Sequence, residues 1–575
     1  MFAATWLGLL WFAAPIFGDP DDETMLADRA CGVLVLGTAI PFGLGLLHLL
    51  YGPACLAVAL ACAVAAMIRA GSKVVKTPPP RRWYALPFCA TLFVAMPALQ
   101  QPPMDGDTLA YHLPSALAWV HAHSIWTTAT RYWWYPGGSE LFAAGIAAVG
   151  GWWLVGLAGT CAAFVLVFRL TDWGISLGTP QWVAASLASA FVCTGIVAAQ
   201  AADLQNDVWL AALFVEALWV AHHRLGGRIS SPWLLPLVKP TGSFYALVVV
   251  FCRRRPLALV ALGLAPLCVW LLRDALLWSH AIVPPASTAT QRIWSTSIAS
   301  HGLRGLAVLG QALWRAGAPT IAWFFLPVVG LFVGPLRRVA IAGTAATAIF
   351  WLLPFGFNSS VPQLAGGDSL RFDLPAMATG CVVAAALAAR MPLAAGMCAL
   401  AATAAGGWRL AAIFWNDADS HRTALLVAAV AACALLPKPK QTGLVLGAAL
   451  CMALVDCGVL AASRAYSYYD AWLLSPNGVA TAVFPWLTKT QPSAIVVWNL
   501  RAGAVAMMAK KTTVYDALDA GTCAQARKLD ALLLLGTDPD ISAAMRRSRL
   551  GSARACGSTR YEDPAVLVVQ PRGSI

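Results

Sequence analysis

Between Gln100 and Glu140 a strongly apolar chain turns polar, aromatic and acidic, and the residue types gathered there are those that move protons. In "QQPPMDGDTLAYHLP", Asp105 and Asp107 stand one residue apart, just past the apolar segment Trp83–Leu99 and just before His112 and Pro114. A carboxylate within hydrogen-bond reach of a hydroxyl can serve as general base. A pair of them at a membrane surface is uncommon. The stretch continues through Trp119, His121, His123, Trp126, Arg131 and Tyr132 to "WWYPGGSELF", which brings rings, a cation and a third carboxylate, Glu140, to the same boundary. The plain alternative is an interfacial loop whose Trp and Tyr form an aromatic belt and whose carboxylates are solvated.

What must position these residues is set by composition. The 575-residue chain is 59% hydrophobic and 11% charged, with a mean hydropathy of +0.69, which places it in the membrane class and excludes an ordinary soluble enzyme. The formal net charge of +13 does not call for nucleic acid. The basic residues fall in short clusters between apolar segments, as the positive-inside rule expects, so the partners implied are membrane lipids. The 15 Cys are mostly scattered singly and form no CxxC pair or Cys/His ligand spacing, so no structural zinc site is implied.

Met1–Phe17 is apolar but short and lacks a basic leader region, giving a marginal first span. Ala30–Leu50 and Gly52–Ile68 each approach the roughly 20 residues that cross a bilayer. "RAGSKVVKTPPPRR" is then cytoplasmic and closes an N-terminal unit, residues 1–82, so that Trp83–Leu99 runs outward and the Asp105/Asp107 loop (residues 100–140) emerges outside. Pro114–His123 and Glu140–Val149 are too short to span and lie in the interface. Trp152–Leu170 returns inward to Arg169, and Trp182–Gln200 goes out again. "AADLQND" is an external turn, so Asp203 and Asp207 share a side with Asp107; Asp207 also reads as a capping Asp for Val208–Ala221.

Trp233–Cys252 is flanked by basic residues at both ends and centred on "VKPTG", which breaks a helix and puts Lys239 at membrane depth. A broken or re-entrant helix pair resolves both facts; a snorkelling Lys at a misjudged boundary is the alternative. Pro256–Trp278 ends in Arg273-Asp274, "LRGLAVLGQALWRAG" suits an interfacial helix, Ala318–Pro335 runs in to Arg337-Arg338, and Ala340–Phe357 comes out. Arg371 heads the span Phe372–Ala389, where it reads either as an anion ligand or as a helix-end anchor. Leu393–Trp415, Ala424–Pro437 and Leu444–Ala462 complete a polytopic α-helical membrane protein of roughly 12–14 spans. Residues 463–575 then read as a small C-terminal α/β extracytoplasmic domain, with strands at Ser493–Trp498, Ala531–Leu535 and "PAVLVVQP". Cys523 and Cys556 are the only Cys after Cys457, and an oxidising compartment would bridge them.

The run Asp107-x-x-x-Tyr111-His112-Leu113-Pro114, followed by Tyr135-Pro136-x-Gly138-x-Glu140-Leu141, resembles the first periplasmic loop of bacterial GT-C glycosyltransferases, polytopic enzymes related to protein O-mannosyltransferases and lipid A aminoarabinose transferases. Gln205-Asn206-Asp207, Lys239-Pro240-Thr241-Gly242 and Arg371-Phe372-x-x-Pro375 are similar to further elements of that family. One departure is Pro284-Pro285, where related sequences often carry Asn-Pro and Tyr-Pro after the residue matching Arg273. The motifs cover residues 83–390, and the implied GT-C-like catalytic module runs from 83 to 462.

The resemblance implies a hexosyl or pentosyl transferase in a bacterial inner membrane, with active site and C-terminal domain facing the periplasm. Its donor would be a sugar on a polyprenyl phosphate and its acceptor a lipid, glycan or protein left undetermined, with inversion in a single displacement. It makes Asp107 the general base with Asp105 beside it. Tyr111, His112, Arg131, Tyr135, Glu140 and Asp207 then contact substrate, and Lys239, Arg273 and Arg371 face the lipid phosphate, although the adjacent Arg273-Asp274 pair reads by itself rather as a local ion pair. It leaves room for a divalent cation, magnesium or manganese, on Asp105 or Asp207, although two Asp residues are a weak metal signature; no organic cofactor is implied. A polytopic transporter or lipid-linked sugar flippase is the rival from another class, and would show symmetric halves, whereas "DGDTLAYHLP" does not recur. An O-antigen ligase or polymerase is a second rival, with its main external loop later in the chain.

Overall fold

Uninterrupted runs of Ala, Leu and Val have no backbone partner in lipid except their own turns, and here they fold as helices. The computed structural model describes residues 2–17, 25–70, 82–100, 103, 105, 107–127, 130, 133–201, 203–223, 234–252, 257–278, 297–353, 368–414, 480–498, 505–506, 512–516, 522–536, 543–562 and 566–572. The first half contains α1 (Phe2–Ala13), α2 (Met25–Leu46), α3 (Gly52–Ala70), α4 (Ala85–Gln100), α5 (Leu113–His121), α6 (Gly138–Ala148), α7 (Leu157–Ser176), α8 (Gln181–Val192), α9 (Gly195–Ala201) and α10 (Asp207–His222). Then come α11 (Leu235–Val238), α12 (Gly242–Cys252), α13 (Leu257–Trp278), α14 (Gly302–Ala316), α15 (Ala318–Gly330), α16 (Arg337–Leu352), α17 (Leu374–Ala388) and α18 (Pro392–Phe414).

Among the described residues four stretches are long and apolar enough to cross a membrane: Leu26–Leu46, Gly52–Arg69, Trp152–Ser176 and Ser369–Ala388. Two bent pairs, α8 with α9 at 76° and α15 with Gly334–Leu352 at 97°, bring the number to six if each is one span. Several apolar segments form helices too short to span, among them α1, α6 and α12, and Trp182–Gln200, expected as one span, is broken at Cys193-Thr194. Ala424–Pro437 and Leu444–Ala462 lie outside the described residues.

The centre of the bundle is α7 and α10. Every residue of α10 from Asp207 to Ala221 is buried, as a helix apolar on all sides must be. α2 and α8 pack against α7, while α12 and α17 pack against α10. Arg169, expected to mark the cytoplasmic end of a span, instead sits fully buried in α7. Its Nε lies 2.5 Å and its Nη2 3.0 Å from the Glu216 carboxylate; Nη2 also pairs with Asp28, and Nη1 lies 3.8 Å from Asp172. Its guanidinium stacks 4.9 Å from the Trp219 ring centre. A boundary arginine and a buried one are alike in sequence, because the partners on α2 and α10 are remote.

The expected break at "VKPTG" is present: α11 stops at Val238, α12 begins at Gly242, and Lys239 has extended backbone. Gly242 is required there. A Cβ on it would lie 1.9 Å from the Leu235 carbonyl oxygen, so only glycine lets α12 start against α11.

Beyond the bundle, α19 (Ala480–Thr490) leads into β1 (Ala494–Trp498), β2 (Thr513–Asp516), α20 (Thr522–Lys528), β3 (Leu532–Gly536), α21 (Ala543–Cys556), β4 (Gly557–Glu562) and β5 (Val566–Pro571). The sheet order is β2-β1-β3-β5-β4, with β1 parallel to β2 and β3, and β5 antiparallel to β3 and β4. Val496, Leu533, Leu535 and Val569 face Ala526 and Ala553 of α20 and α21, while Ile495, Val497, Leu534 and Val568 join the core on the other side. Both faces are covered, so the strands are apolar at every position rather than at alternate ones. A Cys523–Cys556 disulfide ties α20 to the end of α21. β2 lies against α5, so this domain is on the same side as the Asp107 segment.

Candidate active site

Three chain segments converge on Asp107: the start of the first loop, the turn before α10, and the residues leading into α17. The first is shaped by Asp105, whose Oδ2 accepts the backbone N–H of Asp107 at 2.9 Å and of Thr108 at 3.0 Å. Short acidic side chains satisfy the free amides of a helix start in this way. From Thr108 to His112 the backbone makes a π-helical turn, a distortion common at functional sites, and continues as α5. Asp105 thus does the capping, while the Asp107 carboxylate makes no capping bond and faces the site.

The Asp107 carboxylate is paired with Arg371 Nη2. Arg371 Nη1 donates to Gln205 Oε1 at 3.1 Å, and its Nε lies 3.5 Å from Asp207 Oδ2. The other Asp207 oxygen accepts from Lys239 Nζ at 2.9 Å. Asp207, the first residue of α10, is therefore not a simple cap; it sits where the helix dipole favours an anion and is shared by two cations. The Phe372 ring faces both, 4.4 Å from Lys239 Nζ and 5.1 Å from the Arg371 guanidinium carbon, and Tyr245 Oη holds the Phe372 carbonyl at 3.2 Å. Side-chain exposure rises along the network, from 4% for Asp207 through 17% for Arg371 to 38% for Asp107. Asp107 is therefore the most open end of the network.

Tyr111 lies in the field of Asp107, Tyr135 and Asp207. Burial, then those neighbours, pushes its phenol well above the ordinary tyrosine range, so it stays neutral. His112 and Glu140 form a buried pair, Nδ1 to Oε1 at 2.5 Å, and the second Glu140 oxygen accepts from Ser139 Oγ at 2.8 Å. The structure therefore brings together Asp105, Asp107, Tyr111, Asp207, Lys239 and Arg371, with His112 and Glu140 buttressing the first loop.

Arg273 is engaged differently. Its guanidinium donates to the carbonyls of Ile125, Thr127 and Trp133 and to Asp274 Oδ1, using all five N–H groups, so it braces the first loop from α13 and leaves no donor for a phosphate. The ion-pair alternative is the one seen. Arg131 lies outside the described residues. No group of three or more His, Cys, Asp or Glu side chains placed to hold a metal occurs among the described residues. Asp207 already faces two cations and Asp105 two amides, so this donor set does not fit a divalent ion.

Two residues that spacing did not single out for chemistry also enter. Gln205 holds Arg371, and Asp203 accepts the Asp105 N–H at 2.9 Å. Their signal was membership of the same external turn as Asp207 and, for Gln205, its place in the Gln205-Asn206-Asp207 element.

No protein-family model matches the chain, and no curated protein matches it. Among solved structures, ArnT from Cupriavidus metallidurans in the apo state is similar with a TM-score of 0.50 at 13% identity, over 86% of this chain and 98% of that one. The same protein bound to undecaprenyl phosphate gives a TM-score of 0.47 at 13% identity, over 85% and 97%. The likeness to the apo structure is one of fold: the chain, a polytopic helical bundle followed by a small α/β domain, has an ArnT-like architecture.

Proposed function

We propose that on this fold the protein works as a membrane glycosyltransferase, moving a sugar from a polyprenyl-phosphate donor to an extracytoplasmic acceptor with inversion. The observation that carries the reading is the Asp107–Arg371–Asp207–Lys239 network, in which the partly exposed Asp107 carboxylate pairs with Arg371, and Arg371 and Lys239 share the buried Asp207, at the end of an apolar bundle. A transfer of this kind needs a base for the acceptor hydroxyl and positive charge for the departing phosphate. Asp107 takes the proton as the hydroxyl oxygen attacks the anomeric carbon. The bond from that carbon to the phosphate oxygen breaks, and Lys239 and Arg371 stabilise the charge that develops there. Arg371 suits a fork with two phosphate oxygens. On phosphate arrival it exchanges Asp107 for the lipid head group and frees the base.

The direct test incubates purified protein with a total lipid extract of native-host membranes and follows free undecaprenyl phosphate and glycosylated product by mass spectrometry. Release of undecaprenyl phosphate in step with a product one sugar heavier is expected. Movement of the lipid-linked sugar across vesicles with no new glycosylated product would show a flippase instead.

The same reading puts Asp107 and the C-terminal domain outside the cytoplasm, in keeping with the Cys523–Cys556 disulfide, since such bridges persist in oxidising compartments. Alkaline phosphatase fused after Ile575 is expected to be active, and both thiols should resist alkylation in protein isolated without reductant. An inactive fusion with two alkylated thiols would reverse the orientation.

A further inference from the structure

We propose that Asp203 is a positioning residue for the Asp107 carboxylate, acting through the backbone and side chain of Asp105; its catalytic meaning rests on the reaction proposed above. The platform is α7. A Cβ on Gly159 would lie 2.3 Å from the Asp203 carbonyl oxygen, so the turn after α9 is seated directly on the helix, and Thr160 Oγ1 donates to the Ala201 carbonyl at 3.0 Å. From that fixed turn Asp203 uses both oxygens as acceptors: Oδ1 takes the Leu204 N–H at 2.8 Å, and Oδ2 takes the Asp105 N–H at 2.9 Å. Asp105 in turn gives its Oδ2 to the amides of Asp107 and Thr108. A line of hydrogen bonds therefore runs from Asp203 through Asp105 to the residue carrying the base, its first bond spanning 98 residues of sequence.

The chemistry of Asp203 demands a carboxylate. Two backbone donors converge on it, and an asparagine would offer one oxygen to them and turn an N–H group toward the other. Among the described residues the charged group facing Asp203 is Asp105, on the first-loop side; Thr108 also reaches it, and α7 meets the turn at Gly159 and Thr160. Burial first, then Asp105, pushes the Asp203 carboxyl up to about 6. The two-acceptor form thus prevails above that pH and is lost as pH falls through it. For stability the sign is opposite: the raised value favours the folded protein most below the ordinary carboxylate range, and that contribution fades as pH rises through about 6.

The test compares the parent protein with Asp203→Asn and, as a variant that shifts the same turn without touching a charge, Gly159→Ala. Amide exchange over residues 105–112, undecaprenyl phosphate affinity, and turnover against pH are measured on the full chain. Asp203→Asn should lose about 10²-fold in kcat with undecaprenyl phosphate affinity within about twofold, the signature of a misplaced group rather than lost binding. Its amides at 105–112 should exchange faster, and the fall in rate centred near pH 6 should disappear. Gly159→Ala should speed the same amides. Unchanged exchange in Asp203→Asn overturns the proposal. So does a parallel loss of turnover, phosphate affinity and Tm, which would mark a merely structural residue. If Asp203→Asn cannot be purified, exchange in Gly159→Ala decides. A parent that transfers no sugar refutes the enzyme reading alone, because the exchange result stands apart from turnover.

Discussion

Asp107→Asn is expected to slow sugar transfer by about 10²- to 10⁴-fold, the range associated with losing a general base, while the protein remains folded. The fold should survive because the Asp107 side chain is 38% exposed and its pairing with Arg371 is partly open to water. Exposed ion pairs contribute about 0–1 kcal/mol, so Tm should move little. The amide is isosteric and still accepts from Arg371, but it cannot take the acceptor's proton. Asp105→Asn should cost far less, because an amide oxygen can still receive the N–H groups of Asp107 and Thr108. Parent-rate transfer by purified Asp107→Asn would return this loop to the role of an aromatic belt and remove the carboxylate from the chemistry.

The second large effect concerns Lys239. In Lys239→Met the Asp207 carboxylate, 4% exposed, loses its 2.9 Å ammonium partner and keeps only the more distant Arg371 Nε at 3.5 Å. Breaking a buried pair from one side costs about 3–5 kcal/mol, so a strongly lowered Tm is expected together with lost turnover. The companion variant separates the two consequences. Asp207→Asn combined with Lys239→Met removes both charges and should recover stability to within about 1 kcal/mol of the parent, since a neutral pair carries no unpaired-charge penalty. Turnover should stay low, because the leaving phosphate still lacks its ammonium. Full activity in the double variant would show that Lys239 serves Asp207 alone.

How much of this was legible in the chain depends on the range of the interaction. Lys239 and Gly242 announced the helix break because lipid penalises a buried ammonium and a Pro-Gly pair locally, whatever the rest of the fold does. Asp107 and Arg371 stood out singly, at a span end and before a helix, but nothing in the sequence could reveal that they touch, since 264 residues separate them. Arg273 shows the converse. A cation near a span end looks like an anion ligand, and only the folded first loop, presenting three carbonyls to it, decides otherwise. The break inside Trp182–Gln200 has no proline to mark it, and Gly195, which stands at the break, is tolerated equally inside a helix. In the C-terminal domain the strands were readable because a fully buried strand needs only a short apolar run.

The buried arginine of α7 bears on how such a chain enters a membrane at all. Asp28 precedes Arg169 by 141 residues and Glu216 follows it by 47, so a ribosome delivers the first acid long before its counter-ion and the second well after. α2 therefore reaches the lipid before Arg169 has been made, and α7 arrives before α10 is complete. Insertion of these three helices is thus a joint event rather than a sequence of independent ones. A truncation ending between Arg169 and Glu216 is expected to leave α2 and α7 inefficiently integrated, measured as carbonate-extractable protein, even though each is hydrophobic enough to be read as a span by itself.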